Sequence, residues 1–147
     1  MNRLHLLAPI AALALVLAAC GGAQRTGDET RSGAQPLTLG VTADDKVSAS
    51  DDEVDWKRFH VDSPTTAQVT LYWDDPSVGA RVTLRDMFGA PLAEVRHAPG
   101  AQSDALPEVR LGEGTYFIEI VATKGASVYT LDLTLGGPSS AGVPRPE

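Results

Sequence analysis

Apolar and polar positions alternate with a period of two along most of the middle of the chain. Ala67, Val69, Leu71 and Trp73 alternate with Gln68, Thr70 and Tyr72, and Ala80, Val82 and Leu84 with Arg81, Thr83 and Arg85. Tyr116, Ile118 and Ile120 alternate with Phe117 and Glu119, and Tyr129, Leu131, Leu133 and Leu135 with Thr130, Asp132 and Thr134. Leu37, Leu39 and Val41 alternate in the same way with Thr38 and Gly40. Successive side chains of a strand point to opposite faces, so each run predicts a strand with one buried face. Lys57, Phe59 and Val61 make a less regular sixth run, while 92–95 and 109–111 are weaker candidates. Turn residues separate the runs: Ser63-Pro64, Asp74-Asp75-Pro76, Asp86 to Gly89, Pro99-Gly100, Gly112-Glu113-Gly114 and Lys124-Gly125. No stretch of a dozen residues shows an apolar stripe at helical spacing. The pattern predicts an all-β fold, an antiparallel β-sandwich of seven to eight strands.

The ends of the chain read differently. Arg3 precedes an uncharged stretch, Leu6 to Ala19, which is too short to cross about 30 Å of hydrocarbon as a helix. It ends Leu17-Ala18-Ala19-Cys20, followed by Gly21-Gly22. This resembles the lipobox of bacterial lipoproteins, in which the cysteine is acylated and becomes the first residue after cleavage. The resemblance makes 1–19 a signal peptide, Cys20 the lipid acceptor and the membrane a partner through palmitate-type chains at Cys20. Under the sorting rule of enteric bacteria, Asp after the cysteine retains the protein in the inner membrane. Gly21 in that place points to the outer membrane of the cell envelope. Residues 20–36 hold almost no large apolar side chain and read as the lipidated cysteine and a flexible tether, and 136–147 as a disordered Pro/Gly/Ser tail. The folded unit is then 37–135.

Composition narrows the function. At 147 residues the chain has room for one domain. Twelve basic against 19 acidic residues give a net charge of −7, and loss of Arg3 with the leader makes it −8. That balance argues against nucleic acid as a partner. A single cysteine rules out an internal disulfide. No G-x-S-x-G elbow is present, and His60 and His97 read as residues of a surface strand or loop. Two isolated histidines without a free thiol do not make a zinc site. The chain reads as no enzyme, with a hydrolase of unrecognised site as the remote alternative.

Four local patterns then line up in order. Asp51 to Val61 is an acidic turn running into a D-W-x-x-F-x-V strand, and Ala80 to Gly89 is a strand ending in D-x-x-G. Leu111 to Ile120 contains L-x-x-G-T-Y followed by apolar residues, and Tyr129 to Leu133 is Y-x-L-x-L. Together they resemble the bacterial pre-peptidase C-terminal domain over 37–135. The resemblance implies a jelly-roll-like sandwich, commonly appended to exported hydrolases and similar to the collagen-binding domains of bacterial collagenases. Some of those bind calcium through acidic residues before the first core strand. Lys57 stands where that family commonly has an aromatic residue, and this chain carries no catalytic domain for the module to accompany.

Two surface features remain as candidate sites. Asp44, Asp45, Asp51, Asp52, Glu53 and Asp55 face a single Lys46 in one short segment. Such carboxylates repel unless solvated or bridged by a cation. Asp51, Asp52, Glu53 and Asp55 are the candidate calcium ligands, since calcium takes six to eight oxygens with loose geometry. The other reading is a solvated loop and no cofactor. Trp56 and Tyr72 both have outward parity and are the candidate platform for an extracellular polymer, with packing of Trp56 beneath the N-terminal segment as the alternative. The expectation is thus a lipid-anchored envelope protein whose sandwich is a non-catalytic interaction or structural module. A calcium-dependent module for protein or glycan polymer is the alternative. The pattern assigns no envelope partner and no oligomeric state.

Overall fold

The period-two runs become strands in a computed structural model that describes residues 27–136. Residues 1–26, which include the stretch read as a signal peptide and Cys20, and the residues after Gly136 lie outside that range. Ten strands are present: β1 Gln35–Pro36, β2 Ala43–Ser48, β3 Val54–Val61, β4 Thr65–Trp73, β5 Gly79–Arg85, β6 Pro91–Arg96, β7 Ser103–Ala105, β8 Val109–Leu111, β9 Gly114–Lys124 and β10 Ala126–Leu135. They form two sheets. The first has the order β1-β3-β9-β5-β6; the second runs β2-β10-β4-β7, with β8 also on the free edge of β4. All pairings are antiparallel except that of β1 with β3.

The inner faces hold the residues whose parity pointed inward. Val69, Leu71 and Trp73 of β4, Val82 and Leu84 of β5, Ile118 and Ile120 of β9 and Leu131 and Leu133 of β10 are buried in one cluster. Trp73 meets Tyr129 edge-on at 5.9 Å between ring centres, and Phe59 stacks on Tyr116 at 5.8 Å. Aromatic pairs in such geometry add to the stabilisation from buried area alone.

Three expectations are corrected. Leu37 to Val41 is no strand: Leu37 N–H donates to the Arg58 carbonyl, and the chain then turns through Gly40 at φ 74°. Leu39 and Val41 are left 45% and 59% exposed. A strand does form just beyond, in β2, where the acidic residues had suggested a loop. It is an edge strand pairing only β10, and its charged residues suit an edge.

The third correction concerns the tether, part of which is folded. Asp28 is 0% exposed and Ala34 is buried, a 3-10 turn covers Arg31–Gly33, and β1 extends the first sheet. The Trp56 N–H donates to the Asp28 carbonyl at 2.9 Å. Residues 27–36 therefore form a strap across the end of β3. A buried charge anchors it rather than an apolar side chain, so low apolar content gave no warning of it.

Candidate functional site

Strand alternation sends Asp55, Lys57, Phe59 and Val61 of β3 to the inner face and Trp56, Arg58 and His60 to the outer one. Two of the four inward residues are charged, so this end of the sandwich holds a polar centre instead of hydrocarbon. The Lys57 ammonium donates to Asp28 Oδ2 at 2.6 Å and to Asp45 Oδ2. Tyr129 Oη donates to Asp55 Oδ2 at 2.7 Å. Carboxylate oxygens of Asp28, Asp45 and Asp55 lie within 4.8 Å of one another. The strap, β2 and β3 each bring one carboxylate, and β3 also brings the ammonium among them.

Burial sets the electrostatics. It raises the Asp55 carboxyl to about 7; the Tyr129 hydrogen bond and the Lys57 charge pull the other way, and Asp28 and Asp45 add to the rise. Burial alone would lower the pKa of Lys57, but its hydrogen bonds to Asp28 and Asp45 outweigh this and raise it. The Tyr129 phenol is pushed up by burial and then by the Asp55 charge. A protonated Asp55 leaves two carboxylates facing one ammonium. With Asp55 protonated the centre carries a net charge of −1.

Of the four candidate calcium ligands, only Asp55 belongs to this trio, which is the one such convergence of three or more ligand groups among the described residues. The Lys57 ammonium already bonds two of the three carboxylates, those of Asp28 and Asp45, so this donor set does not fit a metal as it stands. Asp51, Asp52 and Glu53 instead line a surface depression together with Glu29. Asp51 is held low by hydrogen bonds from Ser48 and Ser50. Asp52 is raised by burial and by the neighbouring charges of Asp28, Asp45 and Glu29. Asp52 Oδ1 and Glu29 Oε1 are enclosed without a hydrogen-bond partner.

A second buried polar centre was not expected. His97, assigned to the surface by its sequence context, is buried. Its Nδ1 lies 2.7 Å from Asp104 Oδ2, which also accepts the Trp73 indole N–H at 2.7 Å. The other ring nitrogen, Nε2, lies 3.1 Å from the Pro76 carbonyl. The imidazole packs on Trp73 at 5.3 Å. Both ring nitrogens of His97 and Oδ2 of Asp104 are engaged with the fold. No periodicity marks either residue, because His97 follows β6 in a turn and Asp104 sits in the three-residue β7.

Trp56 and Tyr72 do not form one platform. Trp56 is on the outer face of the first sheet and Tyr72 on that of the second, so the whole sandwich separates them. Trp56 is half-buried against Phe117, with the Arg85 guanidinium 5.8 Å from its ring centre. Arg31 of the strap stands likewise over Phe117. Arg85 donates twice to Glu119, at 3.0 and 2.7 Å. The outer face of the first sheet is therefore a layer of arginine on aromatic rings.

Comparison with protein-family models and with the curated proteins finds no match. Solved structures do show similarity. The chain is similar to the pre-peptidase C-terminal domain of collagenase from Bacillus anthracis, with 15% identity, a TM-score of 0.59, and coverage of 69% of this chain and 94% of that one. It is also similar to the Yersinia pseudotuberculosis-derived mitogen, with 13% identity, a TM-score of 0.50, and coverage of 69% and 89%. At such identities the likeness is one of fold alone. The chain has the two-sheet β-sandwich fold of a pre-peptidase C-terminal domain.

Proposed function

We propose that this protein is a cell-envelope lipoprotein, anchored in the outer membrane through acylated Cys20, whose sandwich is a non-catalytic interaction or structural module. The observation that carries the non-catalytic part is the closed His97–Asp104 pair. An acid–base dyad works by presenting one imidazole nitrogen to substrate, and here Nε2 faces the Pro76 carbonyl while Asp104 is shared with Trp73. Lys57 is likewise enclosed by Asp28 and Asp45. The groups with the right chemistry are spent on holding loops to sheets. The anchoring part is supported by Cys20 ending an apolar run before Gly21-Gly22. Cys20→Ser should abolish palmitate incorporation and leave the precursor uncleaved, and the wild-type protein should fractionate with the outer membrane. Normal labelling of the variant would end the lipoprotein reading.

One observation favours a second reading, a calcium-dependent module. Asp52 and Glu29, each with an enclosed oxygen that lacks a hydrogen-bond partner, line the same depression as Asp51 and Glu53. Calcium there should raise the melting temperature, and Asp52→Asn should remove the rise. Equal midpoints in calcium and in chelator exclude it.

A further inference from the structure

The hairpin between β5 and β6 holds two large apolar side chains out in solvent on a rigid turn. Phe88 is 80% exposed, the highest value for a large apolar residue among those described, and Met87 is 56% exposed. The turn beneath them is tightly built. Asp86 Oδ1 accepts the N–H groups of Phe88 and Ala90 at 2.9 and 2.8 Å, and the Asp86 N–H donates to the Ala90 carbonyl at 2.9 Å. Gly89 adopts φ 91°, and its carbonyl accepts from Arg85 Nη1 at 2.9 Å. The register shift after Leu84 leaves Leu92 without a partner on β5, and it too is exposed. A turn with this many hydrogen bonds keeps its apolar tip extended instead of letting it collapse onto the sheet.

The chain enters the sandwich beside this tip. Arg31 Nη1 donates to the Met87 carbonyl at 3.4 Å and lies against Gly89, where a Cβ would come within 2.7 Å of it. Gly27 packs directly on Gly33, so the first described residue is within the same small loop as Arg31. Cys20 precedes Gly27 by seven positions, a separation of at most about 25 Å. Next to the tip is a groove lined by Thr30, Arg31, Ser32, Arg58, Thr115 and Phe117, all uncharged or basic. Against a net charge of −7 for the chain, that is a local reversal of sign. Asp86 is engaged within the turn and Glu119 is paired with Arg85, while the acidic depression with Glu29 meets the groove at Thr30 and the exposed Asp62 and Glu113 stand beyond its Thr115 end.

We propose that this end of the sandwich docks on the bilayer, with Phe88 and Met87 entering the headgroup–acyl boundary and Arg31 and Arg58 taking lipid phosphate. The proposal rests on the acylation of Cys20: lipid chains there would hold the tip within reach of the surface, and one shallow apolar insertion with two cations adds orientation to the anchor.

The test uses the full acylated chain in vesicles of phosphatidylethanolamine and phosphatidylglycerol. An environment-sensitive fluorophore is attached at Phe88→Cys or, as control, at Thr134→Cys on the outer face of the second sheet. Cys20 is blocked by its acylation, which intact mass verifies. Spin-labelled lipid should quench the label at 88 at least about twofold more than that at 134. Arg31→Ser with Arg58→Ser should reduce that quenching and its dependence on phosphatidylglycerol. Equal quenching at 88 and 134 in acylated protein overturns the docking. A blue shift at 88 without lipid quenching also overturns it, because a second copy or another protein then covers the tip. Absence of acylation on the mass spectrum instead overturns the anchoring reading. Vesicle binding by the unacylated Cys20→Ser chain, with the same contrast between 88 and 134, would then retain the docking surface by itself.

Discussion

The Lys57 ammonium donates to the Asp28 carboxylate at 2.6 Å, joining two residues that are 29 positions apart, both shielded from solvent. This contact ties the residues ahead of β1 to the inner face of β3. It pins the strap of residues 27–36 over β3 and supplies a charge partner for a lysine that strand alternation forces inward. Each partner depends on the other, because a buried ion left alone costs far more than the pair yields.

Removing the lysine should therefore be severe. Lys57→Met leaves Asp28 and Asp45 facing each other without a cation, and should cost about 3–5 kcal/mol in urea unfolding. Asp28→Asn keeps the shape and one acceptor and should cost about 1–3 kcal/mol. A chain starting at Leu37 loses the strap entirely and should be destabilised at least as much as Asp28→Asn. Full stability of that shortened chain would show the strap to be dispensable.

Stability should fall as pH rises from about 4 to about 7 because of Asp55. Its carboxyl is raised by burial from 3.8 to about 7, so the native state holds a proton that the unfolded chain has released between those values. The stabilisation is full below about pH 4 and is lost as pH rises toward 7, with about 4 kcal/mol as the upper bound from this group. Asp55→Asn keeps an acceptor for the Tyr129 hydroxyl and should flatten the profile between about pH 4 and 7. Denaturation midpoints of both proteins across that range are the measurement. A flat wild-type profile would mean that Asp55 is ionised throughout.

The Asp104 carboxylate should matter for stability and for the surroundings of Trp73. Asp104→Ala strands the indole N–H and the His97 Nδ1, each at a cost of about 1–3 kcal/mol. Near-ultraviolet circular dichroism of Trp73 should weaken together with the urea midpoint. An unchanged midpoint would place water where the carboxylate was.

A core position of β9 and a surface position of β10, strands of different sheets, should differ sharply. Ile118→Ala removes a fully buried side chain and should cost about 2–5 kcal/mol. Thr134→Ala, on the outer face, should stay within about 0.5 kcal/mol. Comparable losses at the two sites would reverse the inward and outward faces.

Strands β4, β5, β9 and β10 were legible in the sequence because each has one face against hydrocarbon and the other toward water or polar neighbours. A period of two then appears in the residue types themselves, and Ile118, Leu131 and Trp73 are buried where that period puts them. The same signal misled at Leu37 to Val41. There the positive φ of Gly40 makes a turn, and nothing in an alternation of three apolar residues reports whether a second strand is present to pair with it. It was silent at β2 and β7, an edge strand and a three-residue strand that bury little and so leave no pattern.

The polar centres needed the tertiary structure for a different reason. Parity alone placed Lys57 on the inward face, but the cost of burying an ammonium depends on which carboxylates arrive beside it. Those come from Asp28 in the strap, Asp45 in β2 and Asp55 in β3, residues that charge patterning had divided between a tether and a single acidic loop. Outward parity for Trp56 and Tyr72 was correct, yet parity does not say to which sheet a strand belongs. Periodicity is a property of one strand and its own two faces. Charge pairing, strand partners and the choice of sheet are properties of segments far apart in sequence, and only folding brings those together.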